Sequence, residues 1–389
     1  MPENFFYFDY NATTPMALPV FQAMELFLKE YYGNPSSLHQ GAREPRRALR
    51  EARRQLAGLL GTPDENTLIF TSGGTESNNA ALRSALATSR KRRVITSQIE
   101  HSSVLRVVLQ LEKEGYEVIR LAVGRQGQLD LDELREALTE NTAVVSLMMA
   151  NNETGVLFPV EEAGEIIKAR GVLFHVDAVQ AVGKFPINLK NSSIDYLSLS
   201  GHKFYGPKGI GALYIKPGVA YQSHVIGGSQ EHGRRGGTEN VPGAAGLGKA
   251  CELVRQDLQE EIARLGQLRD RFESRILAEN TGAEIAGQKA VRLPNTSLML
   301  FQGLDSEAFL YALDGEGLAC SSGSACMSGA SEPSHVLTAM GYPNDKALSA
   351  IRFSFGRFTR AEEIEQAVAI VGRTLARLRA LGTQAASGS

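Results

Sequence analysis

The chain has 389 residues, of which 43% are hydrophobic and 22% charged, a composition typical of a soluble globular protein with a large buried core. At roughly 100–200 residues per domain, this length predicts two domains. The formal net charge is −2, from 41 basic and 43 acidic residues, so neither nucleic acid nor an acidic membrane surface is expected as a partner.

The cysteines and the first residues of the chain bear on its compartment. Only Cys251, Cys320 and Cys326 are present, without a C-x-x-C pair, so neither a disulfide framework nor a structural metal is expected. Residues 1–5 lack the basic and apolar regions of an export signal, and no stretch approaches the ~20 apolar residues of a membrane helix. We therefore expect a cytoplasmic protein.

Short apolar runs alternate with runs of helical period through the first two thirds of the chain, which predicts a mostly parallel sheet covered by helices. The predicted strands are 67–71, 94–97, 144–148, 172–176, 196–199 and 211–215. Helical segments are predicted between most of them, for example at 131–138 and 161–169.

The pattern changes near residue 250. Apolar residues spaced by three, four and seven predict one long amphipathic helix over 252–277. The elements predicted beyond it are strands 297–301 and 351–355, helices 306–313 and 362–381, and a Gly/Ser loop at 321–329. We assign residues 15–255 to a large domain, and residues 1–14 together with 256–389 to a smaller α+β domain that carries the cysteine loop.

The sequence TSGGTESN at 71–78 follows a predicted strand and opens a helical segment. Glycines permit a tight turn there, and the first amide N–H groups of a helix, with the positive end of its dipole, favour an anion such as phosphate. The alternative is a simple turn with a Ser or Thr helix cap.

Two further strands end in residues with functional chemistry. Asp177 follows a buried strand, where a carboxylate either caps the next helix or pairs with a pyridinium nitrogen and keeps it protonated. Lys203 follows another strand in a Gly-flanked apolar loop, where a lysine is either solvated or, with a lowered pKa, able to form a Schiff base. A phosphate loop, an Asp and a Lys at strand ends, in this order, are what pyridoxal phosphate requires, and we predict that cofactor.

Three more polar residues lie at or within predicted strands. His101 follows one strand end, where it either stacks on the pyridine ring and moves protons or is a structural histidine. Asn152 closes another strand, at a place suited to a ring hydroxyl. Arg352 interrupts an apolar strand, where its guanidinium either binds a substrate α-carboxylate or forms a buried salt bridge.

The most distinctive segment is the small-residue run that precedes Cys326. Residues 321–325 predict a loop able to carry a thiol into a cleft, and a reactive cysteine needs such exposure. Cys320 follows an apolar stretch and is expected to be structural, as is Cys251 at the long helix.

These residues resemble the cysteine desulfurases of the NifS/IscS type. SGHKFYGPKG at 200–209 and SSGSAC at 321–326 carry the resemblance, and the long SSGSAC loop is that of the family's first group. The segments YFDYNATTP at 7–15, GNPSS at 33–37 and IRFS at 351–354 extend it over nearly the whole chain.

The resemblance implies a transferase of pyridoxal-phosphate fold type I, with a mostly parallel seven-stranded sheet in its large domain. It implies conversion of L-cysteine to L-alanine, with the sulfur left as a persulfide on Cys326. The sulfur then passes to an acceptor or scaffold protein for iron–sulfur cluster assembly or for other thio-cofactor synthesis.

The resemblance also implies roles for individual residues. Lys203 forms the Schiff base and takes the Cα proton, while His101 stacks on the ring. Asp177 pairs with the pyridine nitrogen, and Gln180 faces the ring oxygen. The residues implied in phosphate binding are Gly74, Thr75, Ser200, His202 and, from the neighbouring subunit of a homodimer, Thr238. Those implied in binding the substrate are Asn152, Arg352 and Asn34.

Two alternative functions remain at this point. An aminotransferase or β-eliminating lyase of the same fold would keep Lys203 and Asp177 but would not need Cys326. A non-catalytic binding module would need none of the three, and their presence argues against it. The sequence stops at Ser389 without the longer tail with which housekeeping members dock a cluster scaffold, so the resemblance leaves the sulfur acceptor open.

Overall fold

The computed structural model describes residues 5–279, 282–322 and 332–387. Its strands are β1 (Phe6–Tyr7), β2 (Leu68–Thr71), β3 (Arg93–Ser97), β4 (Glu117–Leu121), β5 (Thr142–Met148), β6 (Leu173–Asp177), β7 (Tyr196–Ser200), β8 (Gly211–Ile215), β9 (Ala283–Ile285), β10 (Thr296–Phe301), β11 (Leu318–Ala319), β12 (Ser321–Ser322) and β13 (Ala350–Ser354). Its α-helices are α1 (Leu18–Lys29), α2 (Arg43–Leu60), α3 (Gly74–Ala87), α4 (Ser102–Lys113), α5 (Leu131–Ala137), α6 (Val160–Lys168), α7 (Val241–Ala278), α8 (Ser306–Gly315), α9 (His335–Ala339), α10 (Asn344–Ala347) and α11 (Ala361–Ser387). Within these residues, every helix falls short of the length or the apolar character that crossing a bilayer requires.

The first two thirds of the chain form a seven-stranded sheet in the order β2-β8-β7-β6-β5-β3-β4. Only β8 runs antiparallel to its neighbours, so the predicted mostly parallel sheet is confirmed. The sequence did not predict β4. This edge strand exposes Glu117 and leaves the next three residues only partly buried, so it lacks the apolar run that marks an interior strand.

Helices cover both faces of this sheet. Successive strand residues point to opposite faces, so Val144 packs with α3 and α4 whereas Val145 packs in the cluster that includes α2, α6 and α7. Strands covered on both sides must be apolar along their whole length, and every residue of β5, β7 and β8 is buried. The apolar runs in the sequence therefore mark these strands closely.

The long helix begins earlier than the spacing of apolar residues predicted. It runs from Val241, where the Asn240 side chain accepts a hydrogen bond from the Gly243 amide, 3.0 Å apart, and its regular dihedral angles break once, at Asp257. The first turns were missed because they are rich in glycine, a poor helix former. Glycine is required there, since a Cβ on Gly248 would lie 2.6 Å from the Cα of Ala52.

The remainder of the chain builds a four-stranded antiparallel sheet in the order β12-β13-β10-β9, with its own aromatic core. Phe272 packs against Phe353 in a tilted arrangement and against Phe355 edge to face, with ring centroids 4.8 and 5.5 Å apart. Phe8 joins them from the N-terminal segment, and the adjacent β1 pairs with β11. The regular dihedral angles of α7 break at Asp257, two residues beyond residue 255. We propose the boundary between the large and the small domain at residues 255 and 256.

Candidate active site

A cavity of about 370 Å³ lies where several parallel strands end, among them β5, β6 and β7. Open α/β sheets bind ligands at this edge, because the strand ends leave a crevice there. Ten residues that the sequence predicted line it: Gly74, Thr75, His101, Asn152, Asp177, Gln180, Ser200, His202, Lys203 and Arg352. The lining residues that the sequence did not single out are Asn11, Ala12, Ser103, Met148, Ala150 and Val179.

The start of α3 forms one end of the cavity. Gly73 has a φ of 152°, a conformation that only glycine adopts freely, and it leads directly into the helix. A Cβ on Gly74 would lie 2.6 Å from the Cγ2 of Val179, so glycine is needed for the helix to begin here. His202 and Lys208 line an adjoining cavity of about 430 Å³ that the same turn borders. Free amide groups, a helix dipole and a cationic side chain fit this end to a phosphate group.

Asp177 is held by two hydrogen bonds at the end of β6. Its Oδ1 accepts from the Val179 amide at 3.0 Å, and its Oδ2 accepts from the Asn78 side chain at 2.7 Å. The same Asn78 amide also donates to Ser103 Oγ at 2.9 Å. The carboxylate is 5% exposed and fixed in place, which fits it to pair with a protonated ring nitrogen.

His101 caps α4 and presents one ring nitrogen to the cavity. Its Nδ1 accepts a hydrogen bond from the Ser103 amide at 3.1 Å and lies 2.8 Å from Ser103 Oγ. A backbone N–H can only donate, so Nδ1 is the acceptor and the proton of the neutral ring lies on Nε2. Burial lowers the pKa of His101, with the Lys203 charge acting in the same direction and Asp177 opposing both. This direction of shift favours the neutral ring near pH 7.

Lys203 lies in the turn that follows β7, with its amine in the cavity. Its Nζ donates to the main-chain oxygens of Asn11 at 2.6 Å and of Ala12 at 2.8 Å. Burial and the nearby Arg352 guanidinium lower the pKa of this amine to about 8. About a tenth of the amine is then uncharged at pH 7, the form in which a lysine forms a Schiff base. Burial and the charge of Lys203 likewise lower the pKa of His202 to about 4.

Arg352 projects from the middle of β13, and the structure shows one of the two roles that the sequence left open. Its Nη2 donates to Asp9 Oδ1 at 2.8 Å, which is the buried salt bridge, and its Nη1 donates to the Asn152 main-chain oxygen at 3.0 Å. Among the described residues, none accepts a hydrogen bond from its buried Nε. Because an unpaired buried donor is costly, a carboxylate in the cavity is a chemically suitable partner for this guanidinium. Asp9 was missed, since one acidic residue after a short apolar run carries no distinguishing signal.

Two of the predicted residues do not line the cavity of this chain. Asn34 is exposed and accepts a hydrogen bond from the Ser36 amide at 2.8 Å, and it does not line the cavity of this chain. Thr238 is also exposed and away from the cavity lining. Cys326 lies outside the described residues. Of the other two cysteines, Cys251 is buried and Cys320 is half-buried, and burial raises the pKa of both thiols.

Asn11 and Lys184 are further residues that sequence reasoning missed. Asn11 is 1% exposed, and its backbone and side chain make seven hydrogen bonds to surrounding groups, including one to the amine of Lys203. Lys184 is 6% exposed and contacts Asn11 and Gln180. No local pattern marks either residue, because their partners are far away along the chain.

The fold and the site together define a pyridoxal-phosphate-dependent enzyme of fold type I. Residues 6–367 match the family model "Aminotransferase class-V". A cysteine desulfurase of Nostoc sp. is 51% identical over 376 residues, covering 96% of this chain and 94% of that protein. A solved structure described as a NifS-like protein superposes with a TM-score of 0.90 at 36% identity, covering 96% of this chain and 99% of that one. The structure "SspA in complex with cysteine" gives 0.81 at 32% identity, covering 91% of this chain and 100% of that one.

The chain therefore belongs to the class-V aminotransferase family and, within it, to the cysteine desulfurases of the NifS/IscS type. Enzymes of this family depend on pyridoxal phosphate, so the predicted cofactor is confirmed.

Proposed function

We propose that this protein removes the sulfur from L-cysteine, leaves L-alanine, and holds the sulfur as a persulfide on Cys326 before passing it to an acceptor protein. The observation that carries the proposal is the convergence, in one cavity, of the Lys203 amine, the Asp177 carboxylate and a guanidinium with an unpaired buried N–H. The solved complex of SspA with cysteine, at 32% identity, supports this choice of substrate. The acceptor would serve iron–sulfur cluster assembly or other thio-cofactor synthesis in the cytoplasm.

Different residues of the cavity would contact different parts of the cofactor. The amides at the start of α3, Thr75, Ser200 and His202 would hold its phosphate, with Asp177 at the ring nitrogen, His101 on the ring face and Gln180 at the ring oxygen. When bound, pyridoxal phosphate supplies an electron sink for the bond broken at the substrate Cα. Asp177 would preserve the ability of the ring to accept electrons, because a fixed carboxylate keeps the ring nitrogen protonated.

Two other residues of the cavity lining, Arg352 and Asn152, would bind the substrate. The Nε of Arg352 would donate to the α-carboxylate, and Asn152 lies against the same guanidinium. We assign Asn34 to the same subsite, although it is exposed in the single chain. Lys203, with a pKa of about 8, is suited to take the Cα proton as a free amine. When the substrate sulfur passes to the Cys326 thiolate, the electron pair of the broken C–S bond stays on the substrate Cβ, and the Nε2 proton of His101 is suited to that carbon.

The described residues that precede and follow the segment with Cys326 support its proposed role as the persulfide carrier. Ser321 of β12 pairs with Arg352 of β13, so the chain leaves the sheet beside the substrate-binding guanidinium. After the undescribed residues, Ser334 donates to Glu153, next to Asn152, and His335 Nε2 lies 3.1 Å from the main-chain oxygen of Glu100, next to His101. Both described ends therefore contact residues that line the cavity or directly adjoin its lining residues.

A matched pair of cysteine substitutions tests the sulfur chemistry. Cys326→Ser should keep the absorbance of the lysine-bound cofactor and abolish both persulfide and alanine formation from L-cysteine. Cys320→Ser should retain both activities, because burial keeps that thiol protonated. Unchanged alanine formation in Cys326→Ser would favour an aminotransferase or lyase and refute the desulfurase proposal.

We further propose a homodimer in which Thr238 of one subunit reaches the phosphate of the other. Large apolar side chains are exposed along the N-terminal region: Leu18 is 67%, Tyr32 84% and Leu38 100% exposed. A second copy that covers these side chains would explain their exposure, since large apolar areas left exposed often mark protein–protein contacts. Sedimentation should give twice the 42.1 kDa chain mass, and Thr238→Ala should weaken cofactor binding. A monomer that binds the cofactor with full affinity would contradict this assignment.

A further inference from the structure

A lysine that the proposed chemistry does not use lies buried beside the cavity. Lys184 follows β6 and is 6% exposed, yet it does not line the cavity. Burial lowers its pKa well below the ordinary lysine value, and the charges of Lys203 and Arg352 act in the same direction. Its Nζ lies 2.9 Å from Gln180 Oε1 and 3.3 Å from Asn11 Oδ1.

These contacts fix the side-chain amide of Gln180 in one orientation. The Asn11 main-chain oxygen can only accept, so Gln180 Nε2 must face it, at 3.0 Å. Gln180 Oε1 is then turned toward Lys184, whose amine donates to it. One N–H of the Gln180 amide is left over, and Gln180 lines the cavity.

The second bond from Lys184 acts on the residue that holds the Schiff-base lysine. Asn11 Oδ1 accepts from Lys184 and from Asn295 Nδ2 at 3.0 Å, while Asn11 Nδ2 donates to Thr296 Oγ1 at 2.8 Å. The main-chain oxygen of the same Asn11 accepts the amine of Lys203 at 2.6 Å. Lys184 therefore contacts Asn11, whose main-chain oxygen holds the reactive amine, and it also contacts the side-chain amide of Gln180.

We propose that Lys184 is a positioning residue of the cofactor site, which fixes Gln180 and Asn11 so that Gln180 presents an N–H to the ring oxygen of pyridoxal phosphate. This inference rests on the proposed function, since it assigns Gln180 to that oxygen. A donor to an anionic oxygen favours the deprotonated form of the bound cofactor, so Lys184 lowers the pH at which the cofactor absorbance titrates.

The decisive variant is Lys184→Met, which keeps the length of the side chain and removes the amine. Lys216→Met is the matched control: Lys216 donates to the Ser192 main-chain oxygen at 2.9 Å, but it follows Ile215, at the opposite end of β8 from the cavity. Cofactor-stripped protein is titrated with pyridoxal phosphate, and the absorbance of the reloaded protein is followed against pH. Neither readout requires sulfur transfer.

Loss of one neutral hydrogen bond corresponds to about a three- to tenfold change in an equilibrium constant. Lys184→Met should therefore weaken cofactor binding by about that factor and raise the midpoint of the absorbance titration by about half to one pH unit. Lys216→Met should match the parent protein in both measurements.

A double-substitution cycle separates positioning from a general structural role. If Lys184 acts through Gln180, Lys184→Met should change the titration midpoint little in a Gln180→Met background. Equal shifts in both backgrounds, or a Lys184→Met protein that matches Lys216→Met, would overturn the inference. A parent protein that binds no pyridoxal phosphate would instead refute the proposed function itself.

Discussion

Replacing Arg352 by Met separates substrate binding from stability at this site. The guanidinium donates hydrogen bonds to Asp9 and to the Asn152 main chain, and its buried Nε has no partner among the described residues. A hydrogen bond between charged groups contributes ~1.5–3 kcal/mol, and ~1.4 kcal/mol is a factor of ten in rate. We expect kcat/KM for L-cysteine to fall about 10- to 150-fold, mainly through a higher KM.

The same substitution also breaks the ion pair with Asp9. Breaking a fully buried pair costs ~3–5 kcal/mol, and the Asp9 side chain is 17% exposed, so we expect a smaller loss of unfolding free energy. Cofactor absorbance and urea unfolding are measured beside steady-state kinetics, so that a folding defect is seen separately from a binding defect.

Arg53→Met provides the control. Arg53 pairs with Glu231 at 2.8 Å, with side chains 10% and 4% exposed, and it too has a buried unpaired Nε, but it does not line the cavity. Its loss should reduce stability and leave KM unchanged. If Arg352→Met retains a kcat/KM within threefold of Arg53→Met, the assignment of Arg352 to the substrate carboxylate is wrong.

Three further outcomes are expected. Acylation of Lys203 in cofactor-free protein should rise with a midpoint near pH 8, because only the uncharged amine reacts and burial lowers its pKa to about 8; a midpoint near 10 would contradict this. Burial raises the pKa of Glu153 to about 7, so folding binds a proton and stability should fall as pH rises from ~4.3, the unperturbed value, to about 7. Glu153→Gln should flatten that decline in urea unfolding at pH 5 and 8, and an unchanged slope would count against it. Phe272→Ala, at a fully buried position of the smaller core, should cost ~3–5 kcal/mol of unfolding free energy, and a loss under 1 kcal/mol would show that this core is not tightly packed.

Much of the large domain was predictable because its interior strands are covered on both faces. Burial on both sides demands an apolar run, and the runs at β5, β7 and β8 match the structure to within two residues. β4 was not predicted because an edge strand is partly polar. The first turns of α7 were not predicted because close packing there requires glycine, a poor helix former.

The site was predictable wherever a functional residue directly follows a strand. Asp177, His101 and Lys203 were identified because parallel strands end at one edge, which brings the residues after them together. Asp9, Asn11 and Lys184 were missed. Their roles depend on partners such as Lys203, which is 192 residues from Asn11, and no local pattern encodes such a contact.

The sequence by itself determined the fold class, the cofactor and the order of the residues that hold it, since these follow from periodicity and from residue types at strand ends. Only the tertiary structure decided their chemical state. Burial beside Arg352 sets the pKa of Lys203, an amide hydrogen bond sets the tautomer of His101, and Asp9 shares the guanidinium assigned to the substrate. These properties depend on distance and desolvation in the folded chain, which spacing along the sequence does not record.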